Sequence, residues 1–557
     1  MKRIFLKIVL VTALIVSFGS CEDFFTIDRP QETQWTTTAT FEQGLNAAYR
    51  QIQWGEIGRG WCLFYDFAPS GTALKTSLGT AGGDGDIFYF RRFGERIGLN
   101  NWWRGGYRTI TLANLALDLD RNSDGNPFGL DKNSTDYIHN YSRQVAECYF
   151  VRAYAYLTLI KMYAPPYVHN GDNSIRTIPL KTTAAYSKED VLAEGLGTKE
   201  EVYQQIISDL KEAKRLLPEQ FTLNSWNNFP GYEAGRANKW VAAALLGKVY
   251  FLMGKYDEAK AEFTDVINSG KYGFDADPKE LYNKPFPEVF PKGSIYEFNG
   301  GDINGQYEQR NNYIYPGMIM GLRFRDSQGD DLENNATTNK GTMKSTWNAF
   351  CLSYMAVKDM GWMVDPQNGD YTLTAEALAD KRYQQVYHLL LPMPAGTEGN
   401  NIPKGSPGYL EYESYPDHAH FTTPHIYIDK FFRGEDPYGR YTKFPLIKFA
   451  DMYLLRGWIN WKKGLLPDAA DDLNKVWNAS NPTNPDRHTA ANITHESIWG
   501  EYLREMTGDG WTTDFIMGTQ MDAPAGDDSR TPVIKAPYAN WYHPIPADEE
   551  ALNNNYK

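Results

Sequence analysis

"NKWVAAALLGKVYFLMGKYDEAKAEFTDVINSG", residues 238–270, is the stretch that decides how this chain folds. Leu246, Gly247 and Tyr250 are followed by Gly254, Ala259 and Phe263. The spacing predicts two short antiparallel helices turning at Gly254. Small side chains at Gly247 and Ala259 let the two backbones approach closely, while Tyr250 and Phe263 fill the groove between them. A helix pair of this size cannot bury its apolar face alone, so it needs neighbours stacked against it.

The pattern L-G-x2-Y, then G, then A-x3-F is that of a tetratricopeptide repeat. Further pairs are legible along the chain. "YSRQVAECYFVRAYAYLTLIKMY" (141–163) is apolar almost all round, as a buried helix should be. Its partner is "KEEVYQQIISDLKEAKRLLPE" (199–219), with Tyr203, Ala213 and Pro218 at repeat-like spacing beyond a loop of about 35 residues. "LIKFADMYLLRGWINWKKGLLPDAADDLNKVW" (446–477) puts Gly457, Gly464 and Ala469 in corresponding places, and "WRGGYRTITLANLALDLD" (103–120) is expected to pack beside these helices. Residues 271–440 read differently. They are rich in Gly, Pro, Asn and Tyr, with short strand-like pieces such as "GSIYEFNG" (293–300), and residues 55–100 are similarly loop-rich. Loops on a rigid frame often carry binding, so ligand contact is expected there.

The first residues carry a different signal. Lys2, Arg3 and Lys7 precede an apolar run from Ile8 to Val16, too short to span a bilayer as a stable helix, and Gly19 and Ser20 sit directly before Cys21. This layout looks like a secretory signal peptide at 1–20 with a bacterial lipobox, despite Phe18 where Leu is usual. Cys21 is therefore the expected lipid anchor, since two or more acyl chains give stable attachment.

Composition narrows the function. Of 557 residues, 56 are Lys or Arg and 69 are Asp or Glu; removing residues 1–20 takes away three basic residues and no acid, so 53 against 69 leaves a net charge of −16. That balance argues against a nucleic-acid partner, which requires clustered cations. Cys62, Cys148 and Cys351 have no metal-site spacing and allow at most one disulfide. Aromatic residues make up 14% of the chain, enough both for the core and for stacking on sugar faces or peptide side chains.

Taken in order, these segments resemble the SusD/RagB family of nutrient-binding lipoproteins. "CEDFFTIDRP" and "TFEQGLNAAYRQI" are similar to the family's leader and first helix; "WRGGYRTITLAN", "AECYFVRAYAYLTLIKMYAPP", "EVYQQIISDLKEAKRLLP" and "GRANKWVAAALLGKVYFLMGKYDEA" resemble its helices. "PIPADEEALNNN" matches its closing signature at Pro544, Ile545, Pro546, Glu549 and Asn553. Ala164, Trp477 and Asp514 depart from the usual pattern. The resemblance implies a mainly α fold: a tetratricopeptide-repeat-like helical scaffold with a large loop-rich, short-strand ligand-binding portion. It implies one domain over 21–557, with the scaffold at about 40–270 and 441–480, the loop-rich insert at about 271–440 and a C-terminal segment at 481–557.

The function implied is capture of an oligomeric nutrient, most often a glycan, for delivery to a SusC-like TonB-dependent transporter barrel. The protein would sit on the outer membrane through acylated Cys21, facing the cell exterior, with Glu22 and Asp23 resembling an export signal. A peptide ligand is the alternative within the family. By regional analogy Trp61, Tyr65, Asp66 and Trp102 from one segment, and Tyr315, Trp347 and Trp362 from the other, are the expected ligand contacts. A glycoside hydrolase is the rival from another class, with acids such as Asp84, Asp86, Asp330 and Asp331. The sequence has no HExxH, GxSxG or P-loop motif, and no catalytic residue is assigned. His418, His420 and His425 are spaced as metal ligands could be. No cofactor is required. "DRNSDGNPFGLD" (120–131) does set Asp120, Asn122, Asp124 and Asp131 at the ligand positions of a calcium loop, although Pro127 and the short Asp131 depart from that pattern; the other reading is an Asn/Asp/Gly turn.

Overall fold

The computed structural model describes residues 35–54, 66, 69–75, 91, 93, 100–187, 190, 195–219, 236–274, 277–279, 281, 294–299, 350–364, 372–390, 425–428, 430, 443–527 and 531–552. Helix α1 (Thr38–Trp54) turns Phe41, Leu45, Ala48 and Tyr49 inward, the i, i+4, i+7, i+8 stripe of a helix with one buried face. Next come α2 (Asn100–Asn122), α3 (Ser142–Tyr163), α4 (Lys199–Leu216), α5 (Lys239–Leu252) and α6 (Tyr256–Asn268). Each packs on the one after it. Nearly every residue of α3, and every residue of α5 after Lys239, is buried, as their all-round apolar sequences require.

Local signals start these helices where the sequence suggests. Thr198 and Glu201 form a capping box that opens α4, and the Asn238 side chain accepts the amide hydrogens of Trp240 and Val241 at the start of α5. An alanine Cβ built at Gly247 would lie 2.6 Å from the Phe263 ring, so only glycine permits the approach of α5 to α6.

Short helices α7 (Tyr354–Asp359), α8 (Ala375–Ala379) and α9 (Lys381–Val386) belong to the loop-rich portion. The scaffold resumes with α10 (Phe449–Lys462) and α11 (Leu466–Ser480). Here Gly457, Gly464, Ala469 and Leu473 repeat the places of Gly247, Gly254, Ala259 and Phe263. A Cβ on Gly457 would meet Leu473 at 2.5 Å, and Gly254 and Gly464 both turn the chain with positive φ, at 72° and 75°. Helix α6 packs on α10, which continues the array across the long insertion. The sequence reading did not resolve the elements that follow: α12 (His495–Met506) packs on α10 and α7, and α13 (Thr512–Thr519) packs on α5. Together with the wholly buried Trp541 and Tyr538 they close one continuous core that begins at Phe41. The fold is mainly helical and tetratricopeptide-repeat-like.

Strands occur as two-stranded antiparallel ribbons: β1 (Ala73–Lys75) with β5 (Phe350–Leu352), β2 (Arg176–Pro179) with β3 (Leu196–Thr198), β4 (Ser294–Asn299) with β8 (Lys443–Lys448), and β6 (Tyr387–Leu390) with β7 (His425–Ile428). The second ribbon lies in the connection between α3 and α4. The piece expected at 293–300 is β4. Cys148 and Cys351 are buried thiols, and Cys62 lies outside the described residues.

Candidate functional site

The loop-rich portion joins the scaffold beside α10 and α12, where two ribbons meet it. β8 runs straight into α10 and carries β4 with it; β6 extends from α9 and holds β7. Apolar contact alone does not make this junction. Arg382, at the start of α9, is 1% exposed and binds Asp380 at 2.8 Å, Glu501 at 2.8 Å and Glu505 at 3.4 Å. Arg504 binds Glu501 and Glu376, both at 2.7 Å. Lys430 donates to Asp509 at 2.8 Å and to the carbonyls of Glu505 and Thr507, and Lys448 pairs with Glu505 and, at 3.2 Å, with Asp509. Trp477 lies wholly buried in their midst, with the guanidinium groups of Arg487, Arg504 and Arg382 at 5.1, 5.4 and 5.8 Å from its ring centre. At this position the indole supplies an aromatic face to surrounding cations.

The electrostatics of this junction favour holding over proton transfer. Burial pushes the Glu501 carboxyl upward, but Arg382, His488 and Arg504 overcome that and hold it well below the usual carboxylate range. Glu505 is likewise held down by Lys448 and Arg382. Burial takes Lys430 down to about 8, although Asp509 opposes the shift. A small cleft opens here between Phe274, Leu281, Val386, Lys430, Lys448 and Ser480. The charged groups lining it are already bound to one another, so it offers paired charges and no carboxyl poised as a general acid. The sequence reading missed this network. Its one visible signal is the charged run "LREMTGDGW" (503–511) inside an otherwise apolar stretch.

Three of the residues expected to touch ligand are described, and all three are buried. Trp362 is fully buried, its ring edge-on to Tyr383 and Tyr387 with centroids at 5.4 and 4.8 Å. Trp102 is 7% exposed near the start of α2. Asp66 is completely buried and accepts the Thr513 amide hydrogen at 2.6 Å. They sit in packing on different elements. Trp61, Tyr65, Tyr315, Trp347 and Cys21 lie outside the described residues, as do Asp84, Asp86, Asp330, Asp331, His418 and His420; His425 opens β7.

The 120–131 loop, expected as a possible calcium site, has its own hydrogen bonds. Tyr141 donates its hydroxyl to Asp120 at 2.5 Å, the amide of Asn133 donates to Asp131 at 2.9 Å, and Asp124 and Gly125 form a left-handed turn after α2. Asp120, Asn122, Asp124 and Asp131 are not drawn to a common point. Among the described residues no three His, Cys, Asp or Glu side chains gather in a way that could hold an ion. No described helix is long and apolar enough to cross a membrane.

Residues 95–251 match a SusD-like family described as starch-binding and associating with the outer membrane. A SusD-like protein, P2, of Formosa agariphila is 26% identical over 243 residues, 43% of this chain and 41% of that protein, so the chain spans under half the length of this curated relative. The fold extends much further. A crystal structure of a SusD superfamily protein from Bacteroides thetaiotaomicron superposes with a TM-score of 0.65 at 18% identity, covering 93% of this chain and 98% of that one. A structure described as a laminarin-binding SusD-like protein gives 0.60 at 19% identity, with the same coverage. The chain thus carries the sequence pattern of a SusD-like family over 95–251 and shares the fold of a SusD superfamily protein along nearly its whole length.

Proposed function

We propose that this chain is a surface-exposed, lipid-anchored binding protein that captures a glycan and passes it to a SusC-like TonB-dependent transporter. The observation that carries the reading is the match of 95–251 to a family described as starch-binding and associating with the outer membrane, joined to a fold shared with a laminarin-binding protein. An α-glucan and a β-glucan are therefore the first ligands to try. No bond is broken in this mechanism. Aromatic faces stack on the sugar and side-chain amides, carboxylates and guanidinium groups meet its hydroxyls, on a surface formed before binding. Trp61, Tyr65, Tyr315 and Trp347 are assigned that role. The junction around Arg382 and Trp477 supports such a surface by holding the loop-rich portion firmly on the scaffold. It does not itself touch ligand.

Acylation of Cys21 fixes the protein to the outer leaflet, and the exposed flank of the repeats packs on the barrel. Two results test this arrangement together. Cys21→Ala should release the protein from the membrane fraction, and the wild-type protein, extracted in mild detergent, should bring a transporter barrel with it. Retention of Cys21→Ala at the membrane, or isolation of the wild type without any barrel, would count against the arrangement.

A further inference from the structure

A second buried cluster lies where the segment 66–75 meets α13. Asp66 Oδ1 accepts the Thr513 amide hydrogen at 2.6 Å, in the first turn of α13, with Asp514 alongside. Lys161 of α3 pairs with Asp514, and Lys248 of α5 pairs with Asp451 of α10. Both ammonium groups lie over the Trp511 ring, 4.7 and 4.0 Å from its centre. Tyr502 of α12 faces the same carboxyls. None of these side chains belongs to a residue more than 5% exposed.

The charges within this group do not balance. Among the described residues it holds two ammonium groups against three carboxyls, and an extra buried negative charge is costly enough that a group takes up a proton instead. Geometry says which group. Asp514 and Asp451 each have a lysine; Asp66 has the Thr513 amide hydrogen, the hydroxyls of Thr512 and Thr513 and only a longer-range share of Lys161. We propose that Asp66 carries a proton, and that this proton fastens the segment leading into β1 to the scaffold, more firmly in mild acid than at neutral pH.

The attachment matters beyond Asp66 itself. Ser70 donates its amide hydrogen to the Asp66 carbonyl at 3.0 Å, β1 pairs with β5, and Ser353 donates to the Thr72 carbonyl at 2.7 Å at the start of α7. Residues 69–75 and, through them, the β5 strand and the start of α7 are therefore tied to this point. Burial pushes the Asp66 carboxyl up to about 7 from its ordinary 3.8; the Thr513 amide opposes the shift and the Asp514 charge adds to it. A carboxyl raised in the folded state keeps its proton where the unfolded chain has lost it. The contribution of Asp66 to stability is thus full below about 4, falls as pH rises to about 7, and levels off above.

The test is urea denaturation of the wild type and Asp66→Asn between pH 4 and 8. Asparagine mimics the protonated acid, so the wild-type unfolding constant relative to D66N should rise about tenfold per pH unit from about 4 to 7. D66N should then be the more stable protein at pH 7.5, with the two converging near pH 4. Hydrogen exchange at pH 7.5 should show 66–75 opening more often in the wild type than in D66N. A D66N that is less stable than the wild type at pH 7.5, or does not fold, overturns the proposal. Asp514→Asn deprives Lys161 of its partner and should be destabilising throughout; a neutral-pH gain equal to that of D66N would put the proton on Asp514 and overturn the assignment.

Discussion

Arg152 on α3 and Arg456 on α10 make the same three-way tie in two different repeats. Each guanidinium forks onto a carboxylate of the following helix: Arg152 onto Asp209 at 2.7 and 2.8 Å, Arg456 onto Asp472 at 2.6 and 3.0 Å. Each also reaches back to the preceding helix, Arg152 to Asn114 at 2.7 Å and Arg456 to Thr264 at 3.3 Å. Both lie over a tyrosine one turn earlier, Tyr149 and Tyr453. A side-chain amide holds each carboxylate from behind, from Gln205 and from Asn460. Apolar faces bring the helices together without fixing their order along the array. These forks add directional bonds that join three successive helices.

Removing one end of such a tie is expected to cost more than removing both. Arg152→Met leaves Asp209 buried without its cation and should destabilise the protein by about 3–5 kcal/mol in urea denaturation, with part of the loss recovered in Arg152→Met/Asp209→Leu. Arg456 is partly exposed, so Arg456→Met should cost roughly 1–3 kcal/mol. Equal losses in the single and double variants at Arg152 would contradict the account.

Gly247→Ala and Gly457→Ala should behave alike, because each would press a methyl group into Phe263 or Leu473. Overpacking of this kind costs about 1–3 kcal/mol, read as a lower thermal midpoint. In Gly247→Ala, trimming the obstruction with Phe263→Leu should restore part of the loss.

Below pH 5 a different carboxyl takes over. Burial pushes Glu42 up, but Arg143 and Arg236 overcome it and bring the carboxyl down to about 2 from 4.5. A depressed folded-state value gives stability that is full above about 4.5 and lost as pH falls toward 2. That contribution is on the order of 3 kcal/mol. Glu42→Gln should be less stable at pH 6 and show a shallower fall between pH 4.5 and 2. A Glu42→Gln profile parallel to wild type would show that the two arginines do not hold this charge.

Calcium should leave the thermal midpoint unchanged, and so should a chelator, because Asp120 and Asp131 already accept hydrogen bonds from Tyr141 and Asn133. A rise with calcium that Asp120→Asn abolishes would restore the ion-binding reading of 120–131.

The repeats were legible in the sequence because their information is local. Gly247, Gly254, Ala259 and Phe263 fall within one turn-and-return of the chain, and the same spacing at Gly457, Gly464 and Ala469 identified the later pair. The junction was not legible, since Arg382 and Glu501 meet across 119 positions and no spacing rule links them. The burial of Trp362 was not legible for a related reason. A tryptophan in a Gly-rich stretch looks the same whether its ring meets solvent or Tyr383 and Tyr387, and only the tertiary contacts decide. Asp120 and Asp131 belong to a local pattern that spacing shows, and each accepts a hydrogen bond from a neighbouring donor.

The central claim is glycan capture without hydrolysis. Its most direct test is electrophoresis of the soluble chain, begun after Cys21, through native gels containing single polysaccharides, laminarin and starch first. Retardation by at least one polymer, with no new reducing ends formed on long incubation, is the predicted result. Unretarded migration through every polymer, or release of reducing ends, would contradict it.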